Sequence, residues 1–69
     1  MPYVRVELIE GRDEEKKAEL ARRITQAMVE CAGATPESVF VVFEDVKPHN
    51  WAVGGELISE RRRKQGGNR

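Results

Sequence analysis

The sequence predicts an α+β fold: a βαβ unit with parallel strands, followed by a C-terminal β-hairpin. Three observations point to it. Tyr3 to Ile9 alternate apolar and polar side chains, residues from Asp13 onward repeat apolar positions at spacings of three and four, and Val39 to Phe43 form a short apolar run of β-branched and aromatic residues.

In the first segment Val4, Val6 and Leu8 lie on one face and Tyr3, Arg5, Glu7 and Ile9 on the other, the period of a strand. Glu10, Gly11 and Arg12 turn the chain. Asp13 is a good helix N-cap, and Glu14 and Glu15 occupy the first turn, where the helix dipole favours negative charge. The predicted helix runs about five turns, with Leu20, Ile24, Ala27, Met28 and Cys31 along its apolar stripe, until Gly33 and Pro36 end it. The run Val39 to Phe43 reads as a strand buried on both faces, one against the helix and the other against a second copy of the chain. Two strands joined through a helix run parallel. Pro48, His49 and Asn50 mark a turn, and Trp51 to Val53 with Gly54 and Gly55 suggest a small hairpin reaching toward a neighbouring chain. Residues 1–59 thus form the domain, and 60–69 are expected to be a loose basic tail.

The chain has 69 residues, and a core of that size is marginal on its own. Cys31 is the single cysteine and His49 the single histidine, so neither an internal disulfide nor a metal site is expected to reinforce it. Self-association is the remaining route. Twelve basic and twelve acidic residues balance to zero, but Arg61, Arg62, Arg63, Lys64 and Arg69 crowd the end. That run raises nucleic acid as a partner, yet it carries no aromatic residue for base stacking and reads more simply as solvated charge. No apolar stretch is long enough to cross a bilayer and no leader is visible, so a cytoplasmic location is expected.

The residues hold no phosphate-cradling glycine loop, no Ser/His/Asp set and no metal-ligand spacing. What they offer is Pro2 directly behind Met1. Removal of that methionine leaves a secondary amine whose ring is fixed at the start of a strand, a potential base with no flexible side chain to order. Apolar surroundings and a nearby cation both disfavour its protonated form. Tyr3, Phe40, Phe43 and Trp51 are candidates for the first and Arg12 for the second; an arginine also grips carboxylates through its planar fork. His49 reads as an exposed turn residue and Cys31 as a small core residue.

Taken in order, Met1-Pro2 before an alternating strand, the turn Glu10-Gly11-Arg12, the Asp13-capped helix, the strand after Pro36 and the closing His49-Asn50-Trp51-Ala52-Val53-Gly54-Gly55-Glu56-Leu57 resemble the 4-oxalocrotonate tautomerase family. The similarity runs without a gap from Pro2 to about Ser59. The resemblance implies a tautomerase-like fold that assembles through shared sheets as a hexamer, a trimer of dimers, with each site shared between subunits. It implies a cofactor-free, metal-free enzyme whose Pro2 nitrogen shuttles a proton on a small unsaturated keto or enol acid, such as 2-hydroxymuconate or a phenylenolpyruvate-like compound. Arg12 falls where that family binds the substrate carboxylate, the main-chain N–H of Ile9 where it assists binding, and Trp51 where an aromatic residue lines the pocket.

One position departs from the pattern. Phe40 stands where tautomerases of this type carry a second arginine, and loss of such a contact to a developing enolate typically costs about 3 kcal/mol. The residues leave several readings open. Arg5, or one of Arg61 to Arg63 from a neighbouring chain, supplies the charge; the chain is one half of a hetero-hexamer; or the pocket serves a hydratase-like or dehalogenase-like reaction, for which no carboxylate lies near Trp51. A non-catalytic oligomeric scaffold with a nucleic-acid-binding tail is the reading from a different class.

Overall fold

The structure, a computed structural model, describes residues 1–66. Strand β1 spans Tyr3–Ile9, and its alternation is visible in the burial: Val4, Val6 and Leu8 are half-buried while Tyr3, Arg5 and Glu7 are exposed. Helix α1, Glu14–Ala32, begins at Asp13, whose side chain accepts from the Lys16 N–H at 2.9 Å. It ends in an αL cap: Gly33 sits at φ 72°, its N–H donating to the Val29 carbonyl, and the Ala34 N–H donates to the Met28 carbonyl. A single 3-10 turn, Pro36–Ser38, leads into β2, Phe40–Val46.

Strands β1 and β2 pair in parallel over seven residues, from Tyr3 opposite Phe40 to Ile9 opposite Val46. β2 is three residues longer at its C-terminal end than the apolar run predicts. The acidic residues there are tolerated because each finds a counter-charge: the Arg5 guanidinium lies 3.5 Å from Glu44, and Lys17 of α1 is 2.5 Å from Asp45. Register places Tyr3, Arg5 and Glu7 with Phe40, Val42 and Glu44 on one face, and Val4, Val6 and Leu8 with Val41 and Phe43 on the face toward α1.

The helix is turned slightly from its expected orientation. Ala21, Ile24, Thr25, Met28 and Val29 are half-buried, whereas Ala27 and Cys31 are exposed and Leu20 is at the edge of exposure. Cys31 is therefore not the core residue the periodicity suggests. The apolar stripe is wider than a two-stranded sheet can cover, so one flank stays open.

Beyond β2 a second 3-10 turn, Pro48–Asn50, precedes a hairpin of β3, Ala52–Val53, and β4, Glu56–Leu57. Gly54 and Gly55 have φ of 60° and 87°, the pair of positive values that a type I′ turn demands. The loose tail expected from residue 60 is corrected by helix α2, Ile58–Gly66. Four contacts order it: the Glu60 carboxylate accepts from the Leu57 N–H at 2.9 Å, the Ile58 N–H donates to the Trp51 carbonyl at 2.8 Å, and Glu56 pairs with Arg61 at 3.2 Å and Lys64 at 2.8 Å. Of the basic run, Arg69 lies outside the described residues.

Among the described residues no side chain is fully buried. The radius of gyration is 15.9 Å, against about 11 Å for a compact chain of this length. Accessible surface is 5295 Å², against about 4400 Å² for a compact monomer of this mass. Tyr3 is 59% exposed, Phe40 48% and Val42 38%, all on the sheet face that α1 does not cover. A core of normal density needs that face covered from outside the chain.

Candidate active site

Pro2 is half-buried at the entry to β1, and its carbonyl accepts the Phe40 N–H at 3.0 Å. The Pro2 ring nitrogen thus lies one residue before β1, at the end of the ladder where β2 begins. With Met1 attached that nitrogen is a tertiary amide. The methionine itself is 87% exposed, so nothing in the fold holds it in place. Beside Pro2, Tyr3 and Phe40 stand opposite each other in the ladder with their rings largely exposed. Phe43 is half-buried on the α1 face and is not part of this group.

Arg5 is the cation next along the same face. Its Nε donates to Glu7 at 2.9 Å and its Nη2 lies 3.5 Å from Glu44, while Glu7 foremost, then Tyr3, holds the guanidinium pKa above its ordinary value. Arg5 is therefore committed to carboxylates of its own chain. Arg61 is likewise paired with Glu56, whereas Arg62 and Arg63 make no ion pair among the described residues. Sequence pattern alone does not reveal both partners of Arg5. Glu7 is visible at i+2 on the same strand face, but Glu44 follows only from the register.

The second group of sequence-derived residues lies at the other end of the sheet. The Glu10 N–H donates to the Val46 carbonyl at 2.9 Å, extending the ladder, and Gly11 turns the chain at φ 136°. The turn returns Arg12 to Ile9, whose carbonyl accepts from Arg12 Nη1 at 2.8 Å. Arg12 borders an open groove of about 320 Å³ floored by Leu8 and Leu20. The other cations of that groove are answered: Lys17 by Asp45, Arg23 by Glu19 at 2.8 Å and Lys16 by Asp13 at 4.0 Å. Arg12 has no carboxylate partner among the described residues, so its charge is available to an outside anion. Trp51 is half-buried five residues beyond the end of β2, on the segment that leaves the sheet at this same end. His49 is exposed.

Pro2 and Phe40 thus mark one end of the sheet, and Ile9 and Arg12 the other, with Trp51 on the segment beyond. The seven residue steps from Pro2 to Ile9 put the two ends more than about 20 Å apart. One chain holds two halves and does not bring them together.

Residues 2–61 match the sequence model of the family described as tautomerase enzyme. The chain is 38% identical over 60 residues to a Bacillus subtilis protein named 2-hydroxymuconate tautomerase, covering 87% of this chain and 97% of that one. Among solved structures, TomN, a 4-oxalocrotonate tautomerase homologue in the tomaymycin biosynthetic pathway, superposes with a TM-score of 0.86 at 41% identity, covering 88% of this chain and 94% of that one. A heterohexamer 4-oxalocrotonate tautomerase from Chloroflexus aurantiacus superposes at 0.83 with 35% identity, covering 87% and 97%. The fold is that of the 4-oxalocrotonate tautomerase homologues. The chain belongs to the tautomerase enzyme family, as a 4-oxalocrotonate-tautomerase-like isomerase.

Proposed function

We propose that the chain, trimmed to begin at Pro2, ketonises a small unsaturated 2-hydroxy acid with the Pro2 amine as general acid and base. The amine takes the proton of the enol hydroxyl and returns one to a carbon of the conjugated system. An O–H and a C=C bond are lost and a C–H and a C=O bond form, with no net oxidation. Arg12 holds the substrate carboxylate, helped by the Ile9 N–H; Phe40 and Trp51 form apolar walls that disfavour the ammonium form of the amine. No step calls for a cofactor or metal.

The observation that carries this reading is the placement of Pro2: a strand-initial ring pinned to Phe40 through its carbonyl, at the exposed aromatic end of the sheet. Because Arg12 is at the opposite end, the working site takes Pro2 from one chain and Arg12 from another. A homohexamer built as a trimer of dimers satisfies this and covers the open sheet face. A mixed hexamer is the second reading, favoured by the heterohexameric neighbour. The deciding assay follows ketonisation of 2-hydroxymuconate and phenylenolpyruvate by the processed protein between pH 6 and 9. Pro2→Ala is expected to lower the rate about a hundredfold or more; an unchanged rate contradicts the proposal.

A further inference from the structure

Two unlike ends meet when chains associate as proposed. The Pro2 end presents two aromatic rings, Tyr3 and Phe40, and its nearest cation, Arg5, is already held by Glu7 and Glu44. The Arg12 end presents a guanidinium without a carboxylate partner among the described residues, next to the apolar floor of Leu8 and Leu20 and joined to the segment that bears Trp51. A pocket assembled from these parts takes its groove cation without a carboxylate partner from Arg12, since Lys16, Lys17 and Arg23 beside it are paired, and is aromatic at its Pro2 end, where the neighbouring Arg5 is already held.

We infer that the site selects monocarboxylates bearing an aryl or other apolar arm over dicarboxylates, with Phe40 as the residue that sets the preference. The inference rests on the roles of Pro2 and Arg12 proposed above. A second carboxylate placed beside Phe40 would shed its water with nothing of opposite charge to replace it, a large penalty. An aryl group in the same place gains ring contacts with Phe40 and Tyr3. Pairing Arg5 with two carboxylates reinforces the choice, since recruiting that guanidinium for substrate would strand Glu7 and Glu44 beside each other, opposed in the ladder.

The processed protein is assayed with phenylenolpyruvate, an aryl monoacid, and 2-hydroxymuconate, a diacid, and kcat/KM compared. The wild-type chain is expected to favour the aryl monoacid about tenfold or more. Phe40→Arg is expected to reverse the ratio, raising the diacid rate while lowering the other. Phe40→Leu, which stays apolar and uncharged, is expected to discriminate against the diacid still. A wild-type chain that turns over the diacid as fast as the monoacid, in a Pro2-dependent manner, overturns the inference and leaves the proposed function standing. A Phe40→Arg assembly of unchanged mass whose ratio does not move overturns it as well. If that variant dissociates, the wild-type and Phe40→Leu ratios decide. Rates with both substrates that ignore Pro2→Ala strike the underlying reading instead.

Discussion

The Phe40 amide donates to the Pro2 carbonyl at 3.0 Å, closing the parallel ladder at the point where the chain begins. The bond fixes the proline through its carbonyl and leaves its nitrogen dependent on what precedes it. A preparation that keeps Met1 is therefore expected to fold and assemble normally but to show less than about a hundredth of the processed protein's activity, since an amide nitrogen is not a base. Intact mass alongside the rate checks this, and full activity from chains still carrying Met1 contradicts it.

Val42 lies opposite Arg5 at the centre of the uncovered sheet face. If a second copy covers that face, the folded state is tied to assembly, and the melting temperature rises with protein concentration. Val42→Lys places a second positive charge opposite Arg5 and is expected to weaken association about tenfold or more, read by sedimentation. A concentration-independent melt of a monomer contradicts it.

Glu56 joins the hairpin to α2. Hydrogen bonds from Lys64 first, then Arg61, hold its carboxyl below the ordinary value, and Lys64 is raised in turn, chiefly by Glu56. A carboxyl with a depressed folded-state pKa contributes stability that is present above its unfolded value and is lost as pH falls through the folded one. Amides of residues 58–65 are expected to lose exchange protection as the solution is acidified below the usual carboxylate range, ahead of those in α1. Glu56→Gln is expected to give the same loss at neutral pH. Glu56 and Arg61 are only half-buried and Lys64 is exposed, so the effect is local and small.

Much of the fold was legible because local signals agreed with it. Asp13 and Gly33 bracket α1 where the cap and the left-handed residue stand in the sequence, and Gly54-Gly55 marks the turn between β3 and β4. Other features depend on partners distant in sequence or close only in three dimensions. The extension of β2 through Glu44 and Asp45 rests on Arg5 and Lys17, which are far away in the chain. The ordering of the basic tail into α2 rests on Glu56 and Glu60, whose charges a composition count assigns to no particular arginine. The exposure of Cys31 reflects the width of a two-stranded sheet, which periodicity does not report. Each candidate residue was visible by type, and the strand expected from Tyr3 to Ile9 already set Pro2 and Arg12 at its two ends; what sequence alone does not show is that Phe40 falls beside Pro2, which follows only from the register of β1 and β2.

That separation is tested most directly by complementation. Pro2→Ala and Arg12→Ala chains, each inactive alone, are unfolded, mixed in equal amounts and refolded together. If a site draws Pro2 and Arg12 from different chains, random association restores an intact pair in about a quarter of the sites, and activity returns in proportion. A mixed assembly of correct mass that stays as inactive as its parents contradicts the account.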